Sequence, residues 1–100
     1  MDERFDRDLA LDALKKYKND FEQQYDVIRI GIFGSVARGE AQAGSDVDIV
    51  VEMKKPDLFY MVHMKEILEN EFQRPVNIAH YRDKKNGYLK ERIQSEAVYV

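Results

Sequence analysis

Apolar residues recur along this chain in two rhythms. Over residues 6–24 they fall mostly three and four apart, so that Leu9, Leu11, Leu14, Tyr17, Phe21 and Tyr25 form one stripe and predict an amphipathic helix against a core. Asp6 and Asp8 near its start suit the positive end of the helix dipole, and Lys15, Lys16 and Lys18 lie further along. The rhythm then changes. Residues 27–33, VIRIGIF, are β-branched and aromatic and predict a strand, with Arg29 at a rim and Gly31 admitting the close approach of another backbone. Residues 35–39 predict one helical turn, 40–45 a loop of small residues, and 46–52, DVDIVVE, a second strand.

Lys54-Lys55-Pro56 interrupts the chain, and Pro56 suits the first turn of a helix. Residues 57–72 place Leu58, Met61, Val62, Met64, Ile67, Leu68 and Phe72 at helical spacing. The methionines read as core filler, and His63 as a surface or half-buried helix residue rather than a ligand. Residues 75–79, PVNIA, predict a short third strand, 81–87 a polar loop with a turn at Asn86-Gly87, and 88–97 a last helix with Leu89, Ile93 and Ala97 on one face. Val98, Tyr99 and Val100 pack down at the end. The order α-β-(short α)-β-α-β-α predicts an α/β (α+β) fold, a small mixed sheet flanked by helices.

Length and charge narrow the options. A chain of 100 residues with 44% hydrophobic residues supports a single domain, 1–100, with one core. A macromolecular acceptor would then be presented by another protein or by a second copy in a homo-oligomer. A net charge of -3 argues against a basic stripe for nucleic acid. With no cysteine, disulfides and thiolate metal sites are excluded. No apolar run approaches the ~20 residues of a membrane span, and MDERFDRD lacks the apolar segment of a secretory signal, so a cytoplasmic location is expected.

The candidate chemistry lies in residues 34–48. Gly34 at a strand end, entering a helical turn, lets backbone N–H groups approach an anion. Ser35 adds a hydroxyl donor, and Arg38, one turn on, reaches a phosphate or braces the loop. Gly39 ends the turn. Alone, Gly-Ser after a strand is most often an ordinary tight turn. Asp46 and Asp48 alternate onto one side of the second strand. Their mutual repulsion becomes favourable around hard cations, and Mg²⁺ takes one or two carboxylates together with phosphate oxygens and water. A lone Asp-x-Asp is commonly two solvated residues; the apolar Val47, Ile49, Val50 and Val51 argue instead for a central strand. Gly34, Ser35, Arg38, Gly39, Asp46 and Asp48 together, at roughly 6% usage each, arise by chance on the order of 10⁻⁷ per starting point.

Residues 34–51, GSVARGEAQAGSDVDIVV, resemble the minimal nucleotidyltransferases of the DNA polymerase beta-like superfamily, whose signature is Gly-Ser, a spacer often carrying Ala-Arg-Gly, then Ser-Asp-x-Asp and an apolar strand. A looser likeness extends to the β-helix-β ending and to Glu96-Ala97-Val98-Tyr99. The resemblance implies a small mixed sheet with the site on one side. It implies that Gly34, Ser35, Arg38 and Ser45 bind the nucleotide, and that Asp46 and Asp48 are the catalytic pair and ligate two Mg²⁺ ions. It also implies ATP as substrate, with transfer of a nucleoside monophosphate to a hydroxyl and release of pyrophosphate. Members this short resemble the antitoxin half of HEPN–nucleotidyltransferase pairs, which implies a helical HEPN protein as partner and adenylylation of its tyrosine.

One position departs from the family. A third carboxylate is expected on strand three, and this chain has Asn77 there. An amide oxygen can ligate a metal but cannot act as a general base, and loss of a general base typically costs ~10²–10⁴ in rate. A second metal ion should bind less tightly as well. Glu52 shares the parity of Asp46 and Asp48 but lies too far along the strand to substitute, and His80 has the opposite parity to Asn77. Two readings follow: an impaired transferase, or a non-catalytic antitoxin-like module that neutralises a HEPN partner by forming a complex. A third, transfer to a small molecule such as an aminoglycoside, lacks a second domain to build an acceptor pocket.

Overall fold

Asp6 opens the first helix. Its carboxylate accepts the Leu9 N–H at 2.9 Å and caps α1, Arg7–Tyr25, which Asp26 closes in the left-handed conformation at φ 56°. The computed structural model describes residues 6–41, 44–81 and 87–100. Ala10, Leu14 and Phe21 are the buried residues of α1. Leu9, expected on that stripe, is 50% exposed, because it lies one residue, about 100° of helical rotation, away from Ala10.

The chain then runs through β1 (Val27–Phe33), the one-turn α2 (Gly34–Ala37), β2 (Val47–Met53), α3 (Leu58–Phe72), β3 (Val76–His80), α4 (Gly87–Glu96) and β4 (Val98–Tyr99). Most boundaries lie within a residue of the pattern-based ones. Three differences have physical causes. Asp57, not Pro56, starts α3: its carboxylate accepts the Tyr60 N–H at 3.2 Å as an N-cap, so Pro56 precedes the helix. Met64, Leu68 and Phe72 form the buried stripe of α3, while Leu58 and Val62 belong to its outer side and are exposed. The terminal residues form a fourth strand. The expected loops at 40–45 and 81–87 include residues 42–43 and 82–86, which lie outside the described residues, as does Asn86 of the expected turn.

The sheet has the order β3-β2-β1-β4. β1 runs antiparallel to β2 and to β4, whereas β2 and β3 are parallel and joined through α3, so the sheet is mixed. Side chains alternate between its two faces. Val47, Ile49, Val51 and Met53 join Ile30, Ile32 and Val76 in the main core beneath α1 and α3. Val50 and Phe33 pack with Ile93 of α4 in a smaller cluster, which Ala79, Leu89 and Tyr99 border. The expected close approach at Gly31 is that of β4: an added Cβ would overlap Val98 O and stand 2.9 Å from Tyr99 Cα. His80 faces away from the smaller cluster, and its Nε2 accepts the Met53 N–H at 3.2 Å.

Candidate active site

The antiparallel register sets Phe33, the last residue of β1, opposite Asp48, and the parallel register sets Asn77 opposite Asp48 on the other side. Three chain segments therefore meet at one end of the central strand: the Gly34 turn, the Asp46–Asp48 start of β2, and Asn77 of β3. Asp46 stands one residue before the ladder begins, rather than inside the strand, and the Val47 N–H that follows it donates to Pro75 O at 2.9 Å.

The two aspartates converge. Asn77 Nδ2 donates to Asp46 Oδ2 and to Asp48 Oδ1, each at 3.1 Å, so both carboxylates are aimed at one atom. The amide relieves with two N–H dipoles a repulsion that a cation would otherwise have to relieve. Gly34 touches the same group from the other side. At φ +73° it holds a conformation that disfavours a side chain, and an added Cβ would overlap Asp48 Oδ2 and lie 3.1 Å from Cγ. The glycine is thus required twice, once for the turn and once for the carboxylate beside it.

The turn itself is tied to the end of α4. Gly34 N–H donates to Glu96 Oε2 at 3.1 Å, and Arg38 Nη1 donates to Glu96 Oε1 at 2.9 Å. Arg38 also donates through Nε to Glu40 Oε2 at 3.0 Å. Glu40 and then Glu96 hold the guanidinium above its ordinary pKa, against the pull of partial desolvation. Both bonds are of the bracing kind that the sequence allows for Arg38. Arg38 N–H and Gly39 N–H close the turn on Gly34 O and Val36 O at 3.0 and 3.1 Å, with Gly39 in the left-handed region at φ +74°. Ser35 is half-buried in α2, and Ser45, also half-buried, accepts Arg74 Nη1 on its carbonyl at 3.5 Å.

Glu52 is committed elsewhere. Its Oε1 takes Arg29 Nε at 2.8 Å, and the Arg29 guanidinium lies between the Tyr81 and Tyr99 rings at 4.6 and 4.4 Å. The residue that pattern reading gave no role in the site is Glu96. Glu96 belongs to the Glu96-Ala97-Val98-Tyr99 stretch of the family likeness and lies four residues from Arg92, but its approach to Gly34 spans 62 residues, which that likeness does not reveal.

These residues fit one divalent cation. Two hard carboxylate oxygens already converge on a single point, as one Mg²⁺ shared with a phosphate requires. Among the described residues no group of three or more His, Asp or Glu side chains is placed to hold a metal. Among the described residues, too, no helix is long and apolar enough to cross a membrane.

The sequence model of the nucleotidyltransferase domain family matches residues 14–100. The protein adenylyltransferase MntA of Thermococcus cleftensis is 35% identical over 88 residues, which cover 87% of this chain and 88% of that one. Among solved structures, one assigned as a minimal nucleotidyltransferase superposes with a TM-score of 0.73 at 29% identity, covering 95% of this chain and 96% of that one. A chain of the complex between a tri-AMPylated Shewanella oneidensis HEPN toxin and its MNT antitoxin superposes with a TM-score of 0.68 at 16% identity, covering 93% of this chain and 70% of that one; that likeness is one of fold.

Proposed function

This chain belongs to the nucleotidyltransferase domain family, and from that premise we propose that it binds ATP with Mg²⁺ and transfers AMP to a hydroxyl of a partner protein. The observation that carries the proposal is the meeting of Asp46 and Asp48 with the Gly34 turn at one end of the sheet. Asp46 and Asp48 would hold the cation, and the chemistry Mg²⁺ supplies when bound is neutralisation of the triphosphate's charge. The Gly34-Ser35 turn would take the phosphate tail through backbone N–H groups and the Ser35 hydroxyl, with Arg38 and Ser45 at its margins.

In the transfer, the acceptor oxygen bonds to the α-phosphorus, the bond from that phosphorus to the bridging oxygen breaks, and pyrophosphate leaves. The acceptor proton passes to water, because the neutral Asn77 amide cannot take it. A transferase of reduced rate is the expected consequence. The adenylyltransferase relative supports protein as the acceptor class, and the HEPN complex among the fold neighbours supports a helical HEPN-type protein as the partner.

One observation favours a second reading, in which complex formation alone neutralises the partner: Asn77 satisfies both carboxylates without a metal. Incubation of the protein with ATP labelled at the α-phosphate, Mg²⁺ and the product of the neighbouring gene separates the two. Transfer by the wild type and none by the Asp46→Ala/Asp48→Ala pair supports the enzyme. Neutralisation of the partner in cells by that double variant supports the binding module.

A further inference from the structure

A carboxylate already sits where the proposed site would receive a phosphate. Glu96 grips both anion-binding elements of the turn at once, with Oε2 on Gly34 N–H at 3.1 Å and Oε1 on Arg38 Nη1 at 2.9 Å. Arg92 adds a cation 3.6 Å from Oε2. The side chain of Glu96 is only 19% exposed, so this is a held group rather than a solvated one. A backbone N–H serves one strong acceptor at a time. Gly34 N–H therefore cannot donate to a phosphate oxygen while Glu96 holds it, and Glu96 also occupies one N–H of Arg38 Nη1, whose guanidinium has other N–H groups to offer.

We infer that Glu96 is an internal stand-in for the phosphate tail, a residue that sets nucleotide affinity by having to be displaced. The inference rests on the proposed nucleotide site and deepens it. Phosphate binding is then an exchange of one anion for another at Gly34 and Arg38, and the displaced carboxylate moves to solvent beside Arg92. The alternative is a fixed brace, in which Glu96 shapes the turn and the nucleotide binds with it in place. The two differ in sign: removing a competitor tightens nucleotide binding, whereas removing a brace weakens it.

The test is calorimetric titration of wild type, Glu96→Gln and Glu96→Ala with Mg²⁺-ATP and, separately, with inorganic tripolyphosphate. Glu96→Gln keeps the shape and removes the charge. Charge-assisted bonds are about twice as strong as neutral ones, so its affinity for both probes should rise roughly threefold to tenfold. Glu96→Ala should move the same way, with native circular dichroism as the check on folding. Affinity unchanged or weakened in both variants, with saturable binding by the wild type, overturns the stand-in and leaves the nucleotide site intact. No saturable binding by any of the three at millimolar probe overturns the stand-in and the nucleotide site together.

Discussion

Replacing Asn77 by Asp separates the structural role of this residue from its chemical one. In the resting protein the Asn77 amide bridges Asp46 and Asp48 at 3.1 Å each. Asn77→Asp replaces a donor of two hydrogen bonds with a third negative charge. Asp46 and Asn77 are exposed, so water screens the site. Like charges about 4 Å apart then repel by about 1 kcal/mol per pair, and two new pairs give about 2 kcal/mol. Loss of the two bridging bonds works in the same direction. For a domain of this size, ~2 kcal/mol lowers the melting temperature by roughly 8–16 °C. Scanning calorimetry in EDTA should show that loss. With Mg²⁺ present the variant should regain most of it, because a cation favours three carboxylates more than two, whereas the wild type should gain little. In the label-transfer assay the same variant, now carrying a base, should be faster by about 10² or more. A variant as stable as wild type in EDTA would show that the amide bridge does not hold the aspartates. A restored melting temperature in Mg²⁺ without faster transfer would show that position 77 is not where the acceptor's proton is taken.

Other perturbations probe neighbouring parts of the argument. Gly34→Ala combines a left-handed φ of +73° with overlap on Asp48, and should cost at least about 2 kcal/mol in denaturant unfolding while disordering the aspartate pair. Gly31→Val should drive β4 off β1 and cost about 1–3 kcal/mol, read by faster hydrogen exchange at Val100, whose N–H donates to Ile30 O at 3.1 Å. The Glu71 carboxyl is held below its ordinary pKa by the Tyr17 hydroxyl and then by Lys16. A lowered folded-state pKa means that its stabilisation is full above the unfolded value of about 4.3 and fades as pH falls through the lower folded value. The melting temperatures of wild type and Glu71→Gln should therefore differ at pH 7 and converge as pH falls below the lowered folded value.

What could be read in the chain beforehand follows from which signals are local. β2 was legible as the central strand because Val47, Ile49, Val50 and Val51 put apolar residues on both of its faces, and it does lie between β3 and β1. The place of Asn77 came from the family resemblance, which sets a carboxylate on strand three; its register opposite Asp48 was not legible, because no local pattern fixes how β3 aligns along β2. Exposure along α3 was not legible, because Leu58, Phe59 and Val62 are apolar residues in its first turns that the core does not reach. β4 was hidden by its length, since two residues show no period and only the partner strand defines them. Glu96 was hidden by distance: a carboxylate near a helix C-terminus runs against the helix dipole, and its reason for being there lies 62 residues away.

These contacts bear on how a domain of this size accommodates a charged site. Two carboxylates aimed at one point and an unmatched N–H at the Gly34 turn would each be unfavourable alone. Here each is matched by a group of the chain itself. Asn77 donates to the pair that would hold a cation, and Glu96 accepts from the turn that would hold an anion. No buried side-chain nitrogen or oxygen among the described residues lacks a partner. Ligand affinity is then a difference between two satisfied states rather than the filling of an unsatisfied one, so the internal partners set it as much as the ligand contacts do. The two partners also differ in what they govern. Asn77 stands beside the proposed acceptor chemistry and should act on rate, while Glu96 grips the Gly34 turn proposed to take the phosphates and should act on occupancy. Asn77→Asp should therefore give a faster transferase without tightening the hold on the metal-free phosphate tail, whereas Glu96→Gln should tighten it, and the tripolyphosphate titration measures that separation directly.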